Sequence, residues 1–387
     1  MTLQLKSLPK LLPLLQQPHR NLNMRRPRLP LLPQLLRVFK SCHRHRNHSR
    51  NILQLPLEIL LLITEKLALH DMFLLSHTCR AFRHVTVQDW RAAVRRLSFR
   101  DRIDFWAGLA YTLPGFWVCS KCCKLHPIHT SDFPMCLRSS RGQWFPCAVD
   151  YSQRYGGDYF QVQHHHIQLA LKLSRRGNMH QKYLAGLMST CIYPTHYLKR
   201  FKQSYEAEPR IINGQFLLRE TWNLSSVTST CSPLFSEGSV FRLRVCSHLQ
   251  LFYSNLERSR NLKRLILSAR AQVANLTQRE LMAISREATL VEDEIELALE
   301  SPGWWRYNSC MRCHTDFGVM ITPGKRIATI QAWHNFGVEG SPMDATWRAH
   351  ADDAHYTTFE CFFRNAHLHH RHGSVRELYY ESTPRAT

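Results

Sequence analysis

The sequence predicts an α+β chain: a helical amino-terminal part followed by a mixed, strand-rich module with two interrupting helices. Three observations predict it. Apolar residues recur at helical spacing between Leu57 and Leu109. Short alternating runs take over from Phe116. Two longer helical patterns, at residues 254–274 and 277–300, then interrupt those runs. With 387 residues and 44% hydrophobic content, the chain is long enough for two domains with ordinary cores.

The first fifty residues hold eleven Lys or Arg and no acid, half of the net charge of +22. Prolines interrupt their Leu- and Arg-rich stretches, as in Arg25-Arg26-Pro27-Arg28, so residues 1–51 read as a disordered basic tail. An acid-free basic tail serves as a nuclear-import patch or a mitochondrial presequence, or simply as solvated chain, the preferred reading here. Broken apolar stretches and the lack of a small-residue cleavage site disfavour a secretory signal. No run approaches the roughly 18 uncharged apolar residues of a membrane span.

The first helix begins at Pro56, whose φ suits a helix start and whose missing N–H is not needed there. Leu57, Ile59, Leu60, Leu61, Leu62, Ile63 and Leu67 cover more than one stripe, so one face enters a core and another stays available to a partner. His70 and Asp71 mark a turn and N-cap. Phe73, Leu74, Leu75 and Cys79 continue at helical spacing toward Arg80 and Arg83, and a third amphipathic segment runs from Val87 through Trp90 and Val94 to Leu97.

The order Leu55-Pro56-Leu57-Glu58-Ile59, an acidic turn, then Thr78-Cys79-Arg80 resembles the F-box of cullin-based ubiquitin ligases. Met72-Phe73 departs from the usual Leu in the turn. The resemblance implies a three-helix F-box domain over residues 52–98, with Leu55, Pro56, Ile59, Ile63 and Leu67 contacting a Skp-type adaptor and, through it, a cullin. It supplies no catalytic residue.

Residues 99–115, with Phe105, Trp106 and Leu109, read as a helical linker. The strand-rich module spans residues 116–365. Its strands are expected at Tyr159–Gln163, Arg210–Leu218 with a turn at Asn213-Gly214, Val240–Cys246, Phe317–Ile321 and, most clearly, Arg326–Trp333. Thr277-x-x-Glu280 is a capping box for the second interrupting helix, which stops at Ser301-Pro302-Gly303. Its acidic run Glu292–Glu296 reads as a solvated face. His164-His165-His166 reads as polar strand surface, since successive strand side chains point to opposite faces. Residues 366–387 read as a solvated, His-rich basic tail that responds to pH.

Thirteen cysteines, an odd number with two Cys-x-x-Cys pairs, point to thiols and metal in a reducing compartment rather than a disulfide framework. Cys119-x-x-Cys122 and Cys310-x-x-Cys313 have the spacing of zinc knuckles and are the candidate metal ligands. Whether the two pairs meet is not written in a spacing of nearly two hundred residues. Cys246-x-His248 and His126 are rival partners, and buried reduced cysteines are the alternative to structural zinc. The carboxy-terminal motifs, from Cys119–Pro127 through Cys246-Ser-His248 and Cys310–Phe317 to Gly340–Trp347, are similar to those of fungal F-box proteins of uncharacterised function.

No Gly-rich phosphate loop, nucleophile elbow or His-Glu-x-x-His helix is present, and no cysteine is marked out as activated. The sequence therefore reads as a non-catalytic adaptor of the cytoplasm or nucleus that recruits an unknown protein substrate. The alternatives are a basic nucleic-acid-binding protein with structural zinc, disfavoured for want of a recognised reading module, and an F-box scaffold acting outside a ligase.

Overall fold

The computed structural model describes residues 52, 55–134, 154–156, 160–177, 180–198, 201–226, 243–251, 290–324, 326–351, 368 and 370–381. The basic tail, the helix expected at 254–274 and the capping box at Thr277 lie outside them. The chain divides into two compact units, residues 1–127 and 128–387.

In the first unit, helices α1 (Leu57–Lys66), α2 (Leu69–Ser76), α3 (Arg80–Val85), α4 (Trp90–Arg96) and α5 (Phe99–Thr112) lead into the antiparallel hairpin of β1 (Phe116–Cys119) and β2 (Lys124–Pro127). Four short helices thus stand where three were expected. The segment read as one helix toward Arg80 breaks after Ser76, and Cys79 is extended before α3. Asp71 lies in the first turn of α2 rather than at its cap, which is Ala68.

Helix α1 turns Leu57 and Leu60 inward onto Ala81 and Phe82. Asp89 caps α4 by accepting from the Ala92 N–H at 3.1 Å. Ser98 caps α5, accepting from the Asp101 N–H and donating to the Asp101 carboxylate at 2.6 Å. Helix α5 is no linker. It buries Ile103, Phe105, Trp106, Leu109 and Ala110, and the Phe105 ring meets Phe73 of α2 edge-on at 6.0 Å. Gly108 permits this approach, since a Cβ there would lie 2.2 Å from the His70 ring.

The second unit is built on a six-stranded antiparallel sheet. Its strands are β5 (Cys191–Leu198), β6 (Phe201–Ile212), β7 (Gln215–Ser226), β10 (Arg306–Ser309), β11 (Thr315–Ile321) and β12 (Ile327–Val338), in the order β10-β11-β12-β7-β6-β5. Two short hairpins accompany it: β3 (Arg154–Gly156) with β4 (Gln161–Gln163), and β8 (Leu243–Arg244) with β9 (Gln250–Leu251). The β6–β7 hairpin closes through Asn213 and Gly214, whose φ values of 51° and 72° are those of a type I′ turn and match the strand twist. Pro194 falls in the irregular stretch of β5, an edge strand, where a missing N–H breaks the fewest ladder bonds.

One sheet face carries Phe216, Leu218, Trp222, Ala328, Ile330, Ala332, Phe317, Val319 and Ile321, all buried. Helices α6 (His164–Arg176), α8 (Leu290–Glu300) and α9 (Ala345–His350) pack against the sheet strands, and α7 (Gln181–Leu187) packs on α6. On the opposite face, Val375 and Tyr379 of α10 (Ser374–Tyr380) join Ile212, Leu217 and Trp333.

Three expectations are corrected here. The His164–His166 triplet opens α6 and all three rings are buried, because the following Ile167, Leu169, Ala170, Leu171 and Leu173 supply a helix core. Glu292 and Glu294 of α8 are buried rather than solvated, and Glu294 accepts from the Asn308 side chain at 2.7 Å. The carboxy-terminal segment is not wholly solvated: α10 docks on the sheet, and His370 reaches the buried Asp316 carboxylate at 3.1 Å. Among the described residues, no helix is long and apolar enough to cross a membrane.

Candidate functional site

Helix α1 and the residues just before it leave several large apolar side chains in water. Ile52, Leu55, Ile59 and Leu62 are 47, 40, 42 and 56% exposed, while Leu60 of the same helix is 1% exposed. Ile59, Leu62 and Ile63 share a face by their spacing of three and four residues. Of the residues singled out from the sequence, Leu55, Pro56 and Ile59 are exposed, and Ile63 and Leu67 are half-buried. Leu61 and Leu62, not singled out, are exposed as well. Pro56 begins α1 as anticipated, its carbonyl accepting from the Ile59 and Leu60 N–H groups.

Residues 52–96 match the F-box-like family model. No curated protein and no solved structure matches the chain. The matched stretch thus includes α1 to α4 and the exposed apolar residues Ile52, Leu55, Ile59 and Leu62.

The cysteine pairs form two clusters, one in each unit. In the first, Cys119, Cys122 and His126 bring their ligand atoms within 4.8 Å of one another on the β1–β2 hairpin. His126 stacks on Trp117 at 4.8 Å and its Nε2 lies 3.0 Å from the Cys122 sulfur. Cys123, directly after the second cysteine, has φ of 50°, which closes the tight turn. A hydrogen bond from Cys122 lowers the Cys119 thiol to about 4 against the opposing effect of burial, with His126 adding to the lowering.

In the second, Cys310 and Cys313 meet Cys246 and His248, again within 4.8 Å, and all four are buried. His248 Nδ1 stands 3.6 Å from the Cys310 sulfur and 4.0 Å from that of Cys246. The Arg312 N–H donates to the Cys310 sulfur at 3.4 Å. Burial pushes the Cys246 and Cys313 thiols up. Burial opposes ionisation of Cys310 too, but hydrogen bonds from Cys246 and Cys313 and the nearby His248 hold it well below its ordinary value. A metal ion held by these groups would displace the protons of the ligating thiols.

A buried polar line leads away from this cluster along the inner sheet face. The Cys313 sulfur lies 3.2 Å from the Thr315 hydroxyl, which lies 3.0 Å from His334 Nδ1. His334 Nε2 is 3.0 Å from the Glu220 carboxylate, which also accepts from the Tyr205 hydroxyl. Sequence reasoning missed this line. Its only signal was polar residues at inward positions of otherwise apolar alternation, such as His334 between Ala332 and Phe336.

A third cluster, Asp132 with His165 and His166, has the composition of a metal site but is a hydrogen-bond clamp. His166 Nδ1 accepts from the Gln163 N–H, so its Nε2 carries the proton and donates to Asp132 at 3.2 Å. His165 Nε2 reaches the other carboxylate oxygen at 2.7 Å. Cys191 is disulfide-bonded, which departs from a reading of the cysteines as thiols and ligands, whereas Cys79 and the clustered cysteines are free.

Proposed function

We propose that the F-box-like unit docks a Skp-type adaptor through the exposed face of α1, and that residues 128–387 present a protein substrate to the cullin-bound conjugating enzyme in the cytoplasm or nucleus. The observation that carries this reading is the set of apolar side chains Ile52 and Leu55, just before α1, and Ile59 and Leu62, on it, all left in water while Leu60 of the same helix is buried. Burying such a set on a partner removes apolar surface from water without disturbing Leu57 or Leu60, which already hold the unit's own core. The chain itself makes and breaks no bond. Its contribution to rate is proximity, since holding substrate and conjugating enzyme together raises their effective concentration.

The test is co-purification of the full chain with a Skp-type adaptor. Ile59→Asp with Leu62→Asp places two charges in the proposed contact at positions exposed in the free chain, so folding is spared. Association lost in a variant that unfolds at the wild-type temperature supports the reading. Absence of association by the wild type sinks it.

A further inference from the structure

We propose that Cys246, His248, Cys310 and Cys313 bind one Zn²⁺ as a structural tetrahedral site that clamps the turn between β8 and β9 onto the turn between β10 and β11. The ligand set differs from the pairing of the two Cys-x-x-Cys motifs, because Cys310 and Cys313 find their partners within their own unit.

Geometry and chemistry both select this set. A zinc ion with Zn–S of about 2.3 Å and Zn–N of about 2.0 Å spaces neighbouring donors about 3.5–3.8 Å apart. His248 Nδ1 lies 3.6 Å from the Cys310 sulfur, inside that range, and 4.0 Å from the Cys246 sulfur, just outside it, and all four donors lie within 4.8 Å of one another. Three thiols and an imidazole, with no carboxylate among them, are a soft set of the kind that selects zinc over magnesium or calcium.

The surroundings look built for an ion. Each ligand pair sits on a tight turn closed by main-chain bonds: Val245 and Cys246 N–H to the Leu249 carbonyl, and Cys310 N–H to Thr315 with Thr315 N–H to Cys313. The Arg312 N–H aimed at the Cys310 sulfur is a donor that a metal-bound thiolate wants. His248 is 2% exposed, its Nδ1 faces two sulfurs and the Ser247 hydroxyl, and its Nε2 has no hydrogen-bond partner. Cysteines buried merely as small apolar residues would not require an imidazole turned into their midst.

The site also has a structural task. Among the described residues, the β8–β9 ladder joins Leu243 with Leu251 and Arg244 with Gln250, and a two-stranded hairpin is marginal by itself. The Ser247 hydroxyl in that turn donates to the Ala349 carbonyl at 3.1 Å. A shared ion would fix it to the sheet whether or not the F-box-like unit docks an adaptor.

The test is metal analysis of the full chain by plasma mass spectrometry, with Co²⁺ absorption as a second readout. The Cys119→Ser, Cys122→Ser variant removes the other cluster and should retain about one equivalent of zinc. Adding Cys310→Ser and Cys313→Ser should abolish it. His248→Cys keeps a tetrahedral set and guards against a variant that fails to fold: Co²⁺ should still bind, with stronger thiolate-to-metal charge-transfer absorption than in wild type. Zinc absent from the first variant, or a cobalt spectrum unaltered by His248→Cys, would overturn the assignment.

Discussion

Replacing Asp316 by Ala should release α10 from the sheet. Asp316 is 2% exposed on β11 and holds the start of that helix from outside it. One carboxylate oxygen accepts from the Gly373 N–H and from His370 Nε2, each at 3.1 Å, and the other from the Val375 and Arg376 N–H groups at 2.8 and 3.0 Å. The first-turn N–H groups of a helix have no partner within it, so three main-chain donors, together with His370, lose their acceptor at once. Charge-assisted hydrogen bonds contribute about 1.5–3 kcal/mol each, but the carboxylate's own burial offsets part of that; breaking such a buried charged group costs about 3–5 kcal/mol. Seating Val375 and Tyr379 on Trp333 and Leu217 stabilises docking by about 1.5–3 kcal/mol per side chain, so loss of the cap is of the same size as the whole apolar contact. Burial raises the Asp316 carboxyl, yet the His370 and main-chain hydrogen bonds outweigh it and hold it below its ordinary value. A depressed carboxyl stabilises above the unfolded value of about 4 and loses that contribution as pH falls through the folded one. Hydrogen exchange reads the outcome. Val375, Arg376 and Glu377 amides should exchange fast in the variant at neutral pH, while those of β7 remain protected. Unchanged protection at Val375 and Arg376 would refute the reasoning.

Two further outcomes follow from burial. Leu60→Ala should destabilise the F-box-like unit by about 2–5 kcal/mol in denaturant titration, whereas Leu62→Ala should change stability by less than about 0.5 kcal/mol and weaken only adaptor association. Burial pushes His164 down to about 3 and His166 down to about 4, with the neighbouring His165 adding to both shifts. Both rings are therefore neutral when folded and take up protons near pH 6.5 when unfolded, so stability is complete above about pH 7 and falls as pH drops toward 4. Denaturation midpoints measured across that range should decline on acidification, and His164→Phe should shallow the decline; a flat profile in the wild type would count against neutral buried imidazoles.

The sequence was legible where local chemistry and tertiary burial agree. Pro56 starts α1, Asn213-Gly214 turns the central hairpin, and β11 and β12 fall where their alternation places them. It misled where burial overrode composition. His164–His166 looked like strand surface, yet the stop signal of α6, Arg175-Arg176 before Gly177 with φ of 72°, was in view and should have extended the helix backward. The carboxy-terminal histidines looked solvated because their acceptor, Asp316, lies more than fifty residues away in sequence. The candidate metal ligands were half legible: each Cys-x-x-Cys pair and Cys246-x-His248 stood out by spacing, but which pairs meet depends on the sheet bringing β8–β9 to β10–β11, and spacing carries no such information.

The polar line from Cys313 to Tyr205 bears on what that sheet is for. Thr315, His334, Glu220 and Tyr205 occupy inward positions on four neighbouring strands, where Val, Ile or Phe would be held at no desolvation cost. Replacing a buried polar network by packed hydrophobes is often neutral or stabilising, so stability alone gives the line no reason to exist. Its geometry supplies one. Glu220 lies 3.0 Å from His334 Nε2, and the Thr315 hydroxyl stands between His334 Nδ1 at 3.0 Å and the Cys313 sulfur at 3.2 Å. Groups placed behind a metal ligand in this way orient it, and their loss lowers metal affinity by about 10–100-fold. Thr315→Val keeps the volume and removes only the hydroxyl. Competition with a chromophoric chelator should then show zinc affinity reduced within that range while the sheet stays folded; an affinity equal to wild type would leave the line a purely structural network and detach it from the ion.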